Sequence, residues 1–182
     1  KWSRNTTLKT TDKFEVSTVV GLIAEGQARR SVLSYIERER AVPWRSFSLY
    51  NSWYELNINR NNDPDPLKRM VESQTLPVVN AWKTNLFDKY NVSVNAFVWD
   101  DGWDDFNSLW DFHKGFPQGF TNVDKLATEQ GAGTGAWLGP VGGYGSSKAQ
   151  RLAFWNSTHS PAISNFQLSN KEYFDAFVGR CS

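Results

Sequence analysis

Apolar runs of strand length alternate with helical stripes along most of the chain. Runs that end near aromatic or polar residues predict strands at residues 46–54, 93–99 and 133–139. Patterns with one apolar side predict helices at residues 25–40, 76–90, 123–131, 147–155 and from residue 169 onward. Because strands that alternate with helices form parallel sheets, the pattern predicts an α/β fold with three adjacent, parallel strands in chain order.

Finer signals predict how three of the helices begin. Pro77 is expected in the first turn of the second helix, where its missing N–H costs nothing. The pairs Thr121–Asp124 and Ser169–Glu172 have the spacing of capping boxes and are expected to open later helices. The last of these helices is expected to bury one apolar side, formed by Tyr173, Phe174, Phe177, Val178 and Cys181.

The segment before residue 25 has a different pattern. Phe14 and Val16 alternate with polar residues, and residues 19–24 then form an apolar run. This pattern predicts a strand pair or the last strand of an earlier β-rich part.

The main candidate site lies at the end of the central strand. The apolar run at residues 96–99 stops at Asp100 and Asp101, which Gly102 and Trp103 follow. Ligands of α/β proteins bind at the carboxyl ends of parallel strands, so the two carboxylates are expected at a binding rim. Carboxylates accept hydrogen bonds from sugar hydroxyls, and an indole can cover the C–H face of a sugar ring. A solvated Asp-Asp-Gly turn after an ordinary strand explains the same residues.

Asp100 and Asp101 are not expected to form a hydrolytic pair. Neighbouring residues on a strand project to opposite faces. Glycosidase carboxylates instead flank the scissile bond, about 5–5.5 Å apart for retention and about 6.5–9.5 Å apart for inversion. Asp100 and Asp101 are therefore interpreted as ligands of sugar hydroxyls, with the chemistry supplied by other strands.

Composition narrows the function further. The chain has 182 residues, with 20 basic and 19 acidic side chains and a net charge of +1, so it has no basic field for nucleic acid. No apolar run approaches the length of a membrane span. Cys181 is the sole cysteine, which excludes an internal disulfide. The sequence also has no Gly-x-Ser-x-Gly elbow, and its glycines lack the spacing of a nucleotide fingerprint.

No cofactor or metal is predicted. The two histidines, His113 and His159, have no zinc-like spacing, and His113 is interpreted as a loop residue rather than a base. Asn-x-Ser/Thr sequences accept N-linked glycans in proteins that are secreted from cells that glycosylate. This chain has three of them, at Asn5, Asn91 and Asn156, and they favour an extracellular or periplasmic location.

Several motifs occur in a familiar order. They are Glu25-Gly-Gln-Ala-Arg-Arg-Ser, Tyr50-Asn-Ser-Trp-Tyr, Val98-Trp-Asp-Asp-Gly-Trp-Asp-Asp, Leu109-Trp-Asp-Phe-His-Lys-Gly-Phe-Pro-Gln-Gly-Phe and Trp137-Leu-Gly-Pro-Val-Gly-Gly-Tyr-Gly. This series resembles α-galactosidase-like glycoside hydrolases, in the clan that holds α-galactosidases and raffinose synthases. The resemblance covers nearly the whole chain and is strongest to a bacterial branch.

The resemblance implies a (β/α)8 TIM barrel preceded by a β-rich domain. Residues 1–24 would be the tail of that domain, residues 25–44 a linking helix, and residues 45–182 the first three βα units of the barrel. It implies a retaining hydrolase of carbohydrate metabolism, whose nucleophile and acid/base are expected after residue 182. The implied partners are a carbohydrate substrate and the remainder of the same chain.

The resemblance also assigns substrate-binding residues. Asp100, Asp101 and Trp103 match the family motif that binds sugar hydroxyls. Trp53 and Trp110 match aromatic positions near the site, and Trp137 is expected nearby. The alternative is that the chain belongs to a carbohydrate-binding or structural protein, in which the residues at the end of the sheet bind a ligand but catalyse no reaction.

Overall fold

The computed structural model describes residues 9–11, 13, 15 and 17–181. The chain divides into two compact units, Lys1–Ser46 and Phe47–Ser182. The first unit contains helix α1, Ala28–Glu39, close to its expected bounds. Residues 19–24 are exposed and form no strand, because the described part of this unit offers no second strand with which they could pair. Phe14 and Val16, which belong to the same strand prediction, lie outside the described residues.

A parallel sheet of three strands organises the second unit. The strands are β1 (Leu49–Asn51), β2 (Ala96–Trp99) and β3 (Gly133–Ala136), hydrogen-bonded in the order β1-β2-β3. Ala96 of β2 is in register with Leu49 of β1 and with Gly133 of β3. The predicted order and direction of the strands are therefore confirmed, and the described fold is an α/β unit around a small parallel sheet.

Helices connect the strands and cover the sheet. They are α2 (Glu72–Trp82), α3 (Asp88–Tyr90), α4 (Thr121–Thr128), α5 (Gly145–Thr158) and α6 (Lys171–Cys181). A π-helical segment, Lys83–Phe87, joins α2 to α3, and another, Trp53–Asn57, follows β1. A short 3-10 turn spans Pro66–Lys68. Among the described residues, no helix has the length and apolar character that crossing a membrane requires.

The core lies where β2 meets the helices. Phe97 and Trp99 are fully buried, and their rings stack with centroids 6.2 Å apart, because alternate residues of a strand share one face. Val79 of α2, together with Val123 and Ala127 of α4, is fully buried in the same core cluster. This packing fixes the carboxyl end of β2, from which Asp100 and Asp101 follow directly.

The predicted helix starts are wrong in detail. Helix α2 begins at Glu72, so Pro77 lies inside the helix rather than in its first turn and cannot donate to the carbonyl of Ser73. Phe120, not Thr121, is the N-cap of α4, and it makes no side-chain capping bond. At α6 the cap is Asn170, whose Oδ1 accepts a 3.0 Å hydrogen bond from the backbone N–H of Tyr173.

The buried side of α6 is narrower than predicted. Tyr173 is fully buried and Phe177 is partly buried. Phe174 and Val178 are 42% and 43% exposed, and Cys181 is also exposed. The helix therefore contacts the described core along one edge only.

Candidate functional site

A cleft of about 510 Å³ opens at the carboxyl end of the sheet. Its lining is Trp53, Asn61, Asn62, Asp100, Asp101, Trp137, Tyr144 and Gly145. Trp53 comes shortly after β1, Asp100 directly after β2, and Trp137 directly after β3. Parallel strands end on the same side of a sheet, and this topology brings residues far apart in sequence to one rim.

Asp100 is half-buried and is held by the end of β1. Its Oδ2 accepts a 2.9 Å hydrogen bond from Nδ2 of Asn51. Its backbone N–H donates to Oγ of Ser52 at 2.9 Å, and its Oδ1 accepts from the backbone N–H of Asp101 at 2.8 Å. The carboxylate is thus oriented before any ligand arrives, and each oxygen keeps a lone pair for a further donor.

Asp101 is only 5% exposed, although it lines the cleft. Its Oδ2 accepts from Nδ2 of Asn61 at 3.2 Å, and its carbonyl oxygen accepts from Nδ2 of Asn57 at 2.7 Å. Its Oδ1 lies 3.8 Å from Nη2 of Arg151. Burial raises the pKa of Asp101, and the Asn61 hydrogen bond and the Arg151 charge oppose this rise.

The turn after these carboxylates requires glycine. Gly102 has a φ of +113°, and a Cβ there would stand 3.2 Å from the Cα of Asn61. This close approach places Asn61 beside the carboxylate of Asp101. A side chain at position 102 would separate the two.

Aromatic rings form the other wall of the cleft. The rings of Trp137 and Tyr144 stack with centroids 5.7 Å apart, and Tyr144 is 71% exposed. Trp53 lines the opposite part of the rim and is half-buried. Exposed aromatic faces beside carboxylates suit ligands that combine C–H faces with hydroxyls. Tyr144 is not among the predicted site residues, although the Gly-rich segment at residues 139–145 directly follows a predicted strand and was a usable signal.

Trp103 and Trp110 lie in the core and do not line the cleft. They are 4% and 3% exposed, and their rings pack 6.2 Å apart. Nε1 of Trp103 donates to the carbonyl of Trp137 at 3.1 Å, and the ring of Trp110 meets that of Trp137 edge-on. Both residues therefore pack against Trp137 in the core, whereas the resemblance assigns Trp103 to sugar binding and Trp110 to an aromatic position near the site.

Sequence reasoning missed a buried ion pair beneath the cleft. Nε and Nη2 of Arg151 donate to Oδ2 of Asp104 at 3.0 and 2.7 Å, and both side chains are fully buried. Burial, only partly offset by the Arg151 charge, raises the pKa of Asp104 to about 6. The two hydrogen bonds that Oδ2 of Asp104 accepts from the Arg151 guanidinium favour the ionised carboxylate. The sequence signals only half of this pair: Ser147, Arg151 and Trp155 recur at intervals of four on one face of α5, which places Arg151 on the buried side but does not indicate its partner.

His113 holds the base of the Asp-Asp-Gly-Trp turn. It is 3% exposed, and its Nδ1 accepts a 2.9 Å hydrogen bond from the N–H of Gly115. Its Nε2 must then carry the proton, which it shares between the carbonyls of Met70 and Gly102 at 3.0 and 3.1 Å. Burial, followed by the Arg69 charge, lowers the pKa of His113, so the ring is neutral at pH 7.

Replacing His113 with leucine is expected to lower the free energy of unfolding at pH 7.5 by about 1–3 kcal/mol, because two buried carbonyls lose their donor. In the native protein the pKa of His113 lies below its ordinary 6.5, so the stability it contributes is present above pH 6.5 and is lost as pH falls. Urea unfolding at pH 7.5 and pH 5 should thus show a smaller penalty for the variant at pH 5. An equal penalty at both pH values would contradict this role.

The acceptor asparagines of the Asn-x-Ser/Thr sequences differ in how accessible their side chains are. Asn91 is exposed, with a φ of +53°, at the end of α3. The amide of Asn156 is engaged on both sides, since its Nδ2 donates to the carbonyl of Ile163 at 2.9 Å and its Oδ1 accepts from the N–H of Ile163 at 2.8 Å. Asn5 lies outside the described residues. Of the two described acceptors, Asn91 is the accessible one in the folded chain.

No cluster of three or more His, Cys, Asp or Glu side chains that could hold a metal occurs within residues 9–11, 13, 15 and 17–181. The candidate site is thus a cleft of two carboxylates, amides and aromatic rings.

Comparison with known proteins yields one informative structure. No protein-family model matches the sequence, and no curated protein matches it significantly. An α-galactosidase from Thermus thermophilus, solved in complex with stachyose, superposes with a TM-score of 0.51 at 19% sequence identity over 77% of this chain. The matched region is 30% of that protein. At this identity the likeness shows a shared fold over that part of the enzyme and nothing more.

Proposed function

We infer that this chain is the N-terminal part of the (β/α)8 barrel of a retaining, α-galactosidase-like glycoside hydrolase. The cleft would bind the terminal sugar of an α-linked glycan. Asp100 and Asp101 would accept hydrogen bonds from its hydroxyls, and Trp53, Trp137 and Tyr144 would contact its C–H faces.

The observation that carries this proposal is the arrangement of the cleft. Two preoriented carboxylates stand at the carboxyl end of a parallel strand, and aromatic residues that follow the two neighbouring strands flank them. Carboxylates that accept from neutral hydroxyls form charge-assisted hydrogen bonds, which are about twice as strong as neutral ones. The likeness in fold to the Thermus α-galactosidase, which was solved in complex with stachyose, supports the same class of ligand.

The proposed reaction needs two further carboxylates. One would attack the anomeric carbon to form a glycosyl-enzyme, and the other would protonate the leaving oxygen. Asp100 is fixed by Asn51 and Asp101 by Asn61, so both are placed to orient a sugar rather than to attack it. The hydrolytic pair would come from strands of the barrel other than β1, β2 and β3.

The proposal predicts saturable sugar binding that quenches or shifts tryptophan fluorescence, because Trp53 and Trp137 line the cleft. Methyl α-galactoside should bind the purified protein more tightly than methyl α-glucoside. Trp53→Ala should weaken binding, whereas Trp82→Ala, which removes a partly buried core ring that does not line the cleft, should leave the affinity of the folded protein unchanged.

Three outcomes separate the candidate functions. Binding without turnover by residues 1–182, together with hydrolysis of an aryl α-galactoside by a longer protein that contains them, supports the enzyme. Binding without turnover in both supports the carbohydrate-binding alternative. No saturable binding of any α-glycoside by the folded chain, or equal effects of Trp53→Ala and Trp82→Ala, contradicts a sugar site in this cleft.

A further inference from the structure

The buried guanidinium of Arg151 is held on several sides. In addition to the two hydrogen bonds to Asp104, its Nη1 donates to the carbonyl of Gly142 at 2.9 Å. Its Cζ lies 3.8 Å above the ring of Trp110, which adds a cation–π contact. These contacts remove the rotamer freedom that a long side chain normally keeps. The position of the charge is therefore fixed by the fold.

This fixed charge points at one of the cleft carboxylates. Nη2 of Arg151 stands 3.8 Å from Oδ1 of Asp101, close enough for an ion pair and too far for a hydrogen bond. Oδ1 of Asp101 is buried and has no hydrogen-bonded partner within the described part of the chain. The opposite oxygen accepts from Asn61. Asp101 is thus held between an amide on one side and a guanidinium on the other.

Several charged groups act on Asp101 besides Arg151. Arg69 favours its ionised form and Asp100 disfavours it, and burial disfavours it most. Arg69 is less suited to hold the carboxylate, because its Nη1 donates to the backbone carbonyl of Asp104 at 3.0 Å. Asp104 in turn binds the guanidinium of Arg151 directly. Arg151 is consequently the cation that forms an ion pair with the Asp101 carboxylate.

We propose that Arg151, anchored by Asp104, is a positioning residue that keeps the Asp101 carboxylate ionised and oriented for a ligand hydroxyl. The proposal rests on the proposed function for its ligand, but its electrostatic part concerns Asp101 alone. An ionised carboxylate offers only acceptors to a sugar, whereas a protonated one would present a donor on one oxygen. Loss of the Arg151 charge would therefore weaken binding by changing the state of Asp101.

The first test measures the titration of Asp101 without any sugar. Carboxyl ¹³C chemical shifts of Asp101 should report a midpoint about one pH unit or more higher in Arg151→Met than in the unmodified protein, because an opposite charge near 4 Å is lost. Arg69→Met is the control for loss of a buried cation, and Asp104→Asn/Arg151→Met is the control for the Asp104 carboxylate that Arg151→Met leaves unpaired near Asp101. Arg69→Met also removes a buried guanidinium, whose Cζ lies 3.9 Å from the centre of the Phe106 ring. It should raise the titration midpoint of Asp101 less than Arg151→Met does.

The second test measures galactoside affinity against pH. Binding needs ionised Asp101, so affinity is lost as pH falls through the Asp101 midpoint. In Arg151→Met the affinity should begin to fall at a higher pH than in the unmodified protein. In Arg151→Lys, which restores the positive charge, the fall should begin closer to the pH found for the unmodified protein. A purely structural role for Arg151 would change affinity equally at all pH values.

The outcomes are separable. An unchanged Asp101 midpoint in folded Arg151→Met overturns the proposal, as does an equal shift in Arg69→Met. If Arg151→Met does not fold, the double variant Asp104→Asn/Arg151→Met, which leaves no unpaired charge at position 104, takes its place with the same criteria. A raised midpoint in a protein that binds no sugar supports the electrostatic role and contradicts the proposed function instead.

Discussion

Asp104→Ala is expected to lower the free energy of unfolding by about 3–5 kcal/mol, the largest effect of any single change considered for this chain. The variant leaves the buried guanidinium of Arg151 without the carboxylate that accepts both of its charge-assisted hydrogen bonds, and only the 3.8 Å ion pair with Asp101 remains. A loss of this size is a large fraction of the stability of an ordinary domain, about 5–15 kcal/mol. Chemical denaturation at pH 7.5, where Asp104 is ionised, measures it directly.

Two controls distinguish a buried pair from ion pairs in general. Lys171→Ala breaks the exposed pair with Asp175, in which Nζ lies 2.6 Å from Oδ2, and should cost at most about 1 kcal/mol. The double variant Asp104→Leu/Arg151→Met replaces both charges by apolar groups and should recover much of the lost stability. A cost for Asp104→Ala no larger than that for Lys171→Ala would mean that the pair is not desolvated in solution.

The sheet could be predicted from sequence because its signals are local. The run Ala96–Trp99 is apolar and is the length of a buried strand, and the structure has a strand with those bounds. Asp100 and Asp101 follow it in sequence, so their place at the rim also followed from local pattern. Pairing with β1 and β3 then required only the rule that alternating strands and helices build parallel sheets.

The support beneath the rim could not be predicted in the same way. Asp104 and Arg151 are 47 residues apart, and nothing in the local sequence of either indicates its partner. The tryptophans show the same limit, because an indole at the rim and one in the core have the same local pattern. Trp53 and Trp137 line the cleft while Trp103 and Trp110 are buried, and tertiary packing rather than local sequence decides which position each indole takes.

Removal of either cleft carboxylate has the second largest expected effect. In an enzyme that contains this chain, Asp100→Ala and Asp101→Ala should each reduce kcat/KM for an aryl α-galactoside about ten- to a hundredfold. This range corresponds to the loss of a charge-assisted hydrogen bond worth about 1.5–3 kcal/mol, at about 1.4 kcal/mol per factor of ten. Asp100→Asn and Asp101→Asn keep the shape of the side chain and serve as matched controls.

The pattern across these variants separates a hydroxyl ligand from a nucleophile. A sugar-binding carboxylate can be lost while a mechanism-based inhibitor still labels the enzyme covalently, whereas loss of the nucleophile abolishes labelling. We expect labelling to persist, more slowly, in folded Asp100→Ala and Asp101→Ala. Complete loss of labelling in Asp101→Ala would make Asp101 the nucleophile and contradict its role as a ligand of sugar hydroxyls. Unchanged rates in both variants would show that neither carboxylate contributes to sugar binding and would contradict the proposed site.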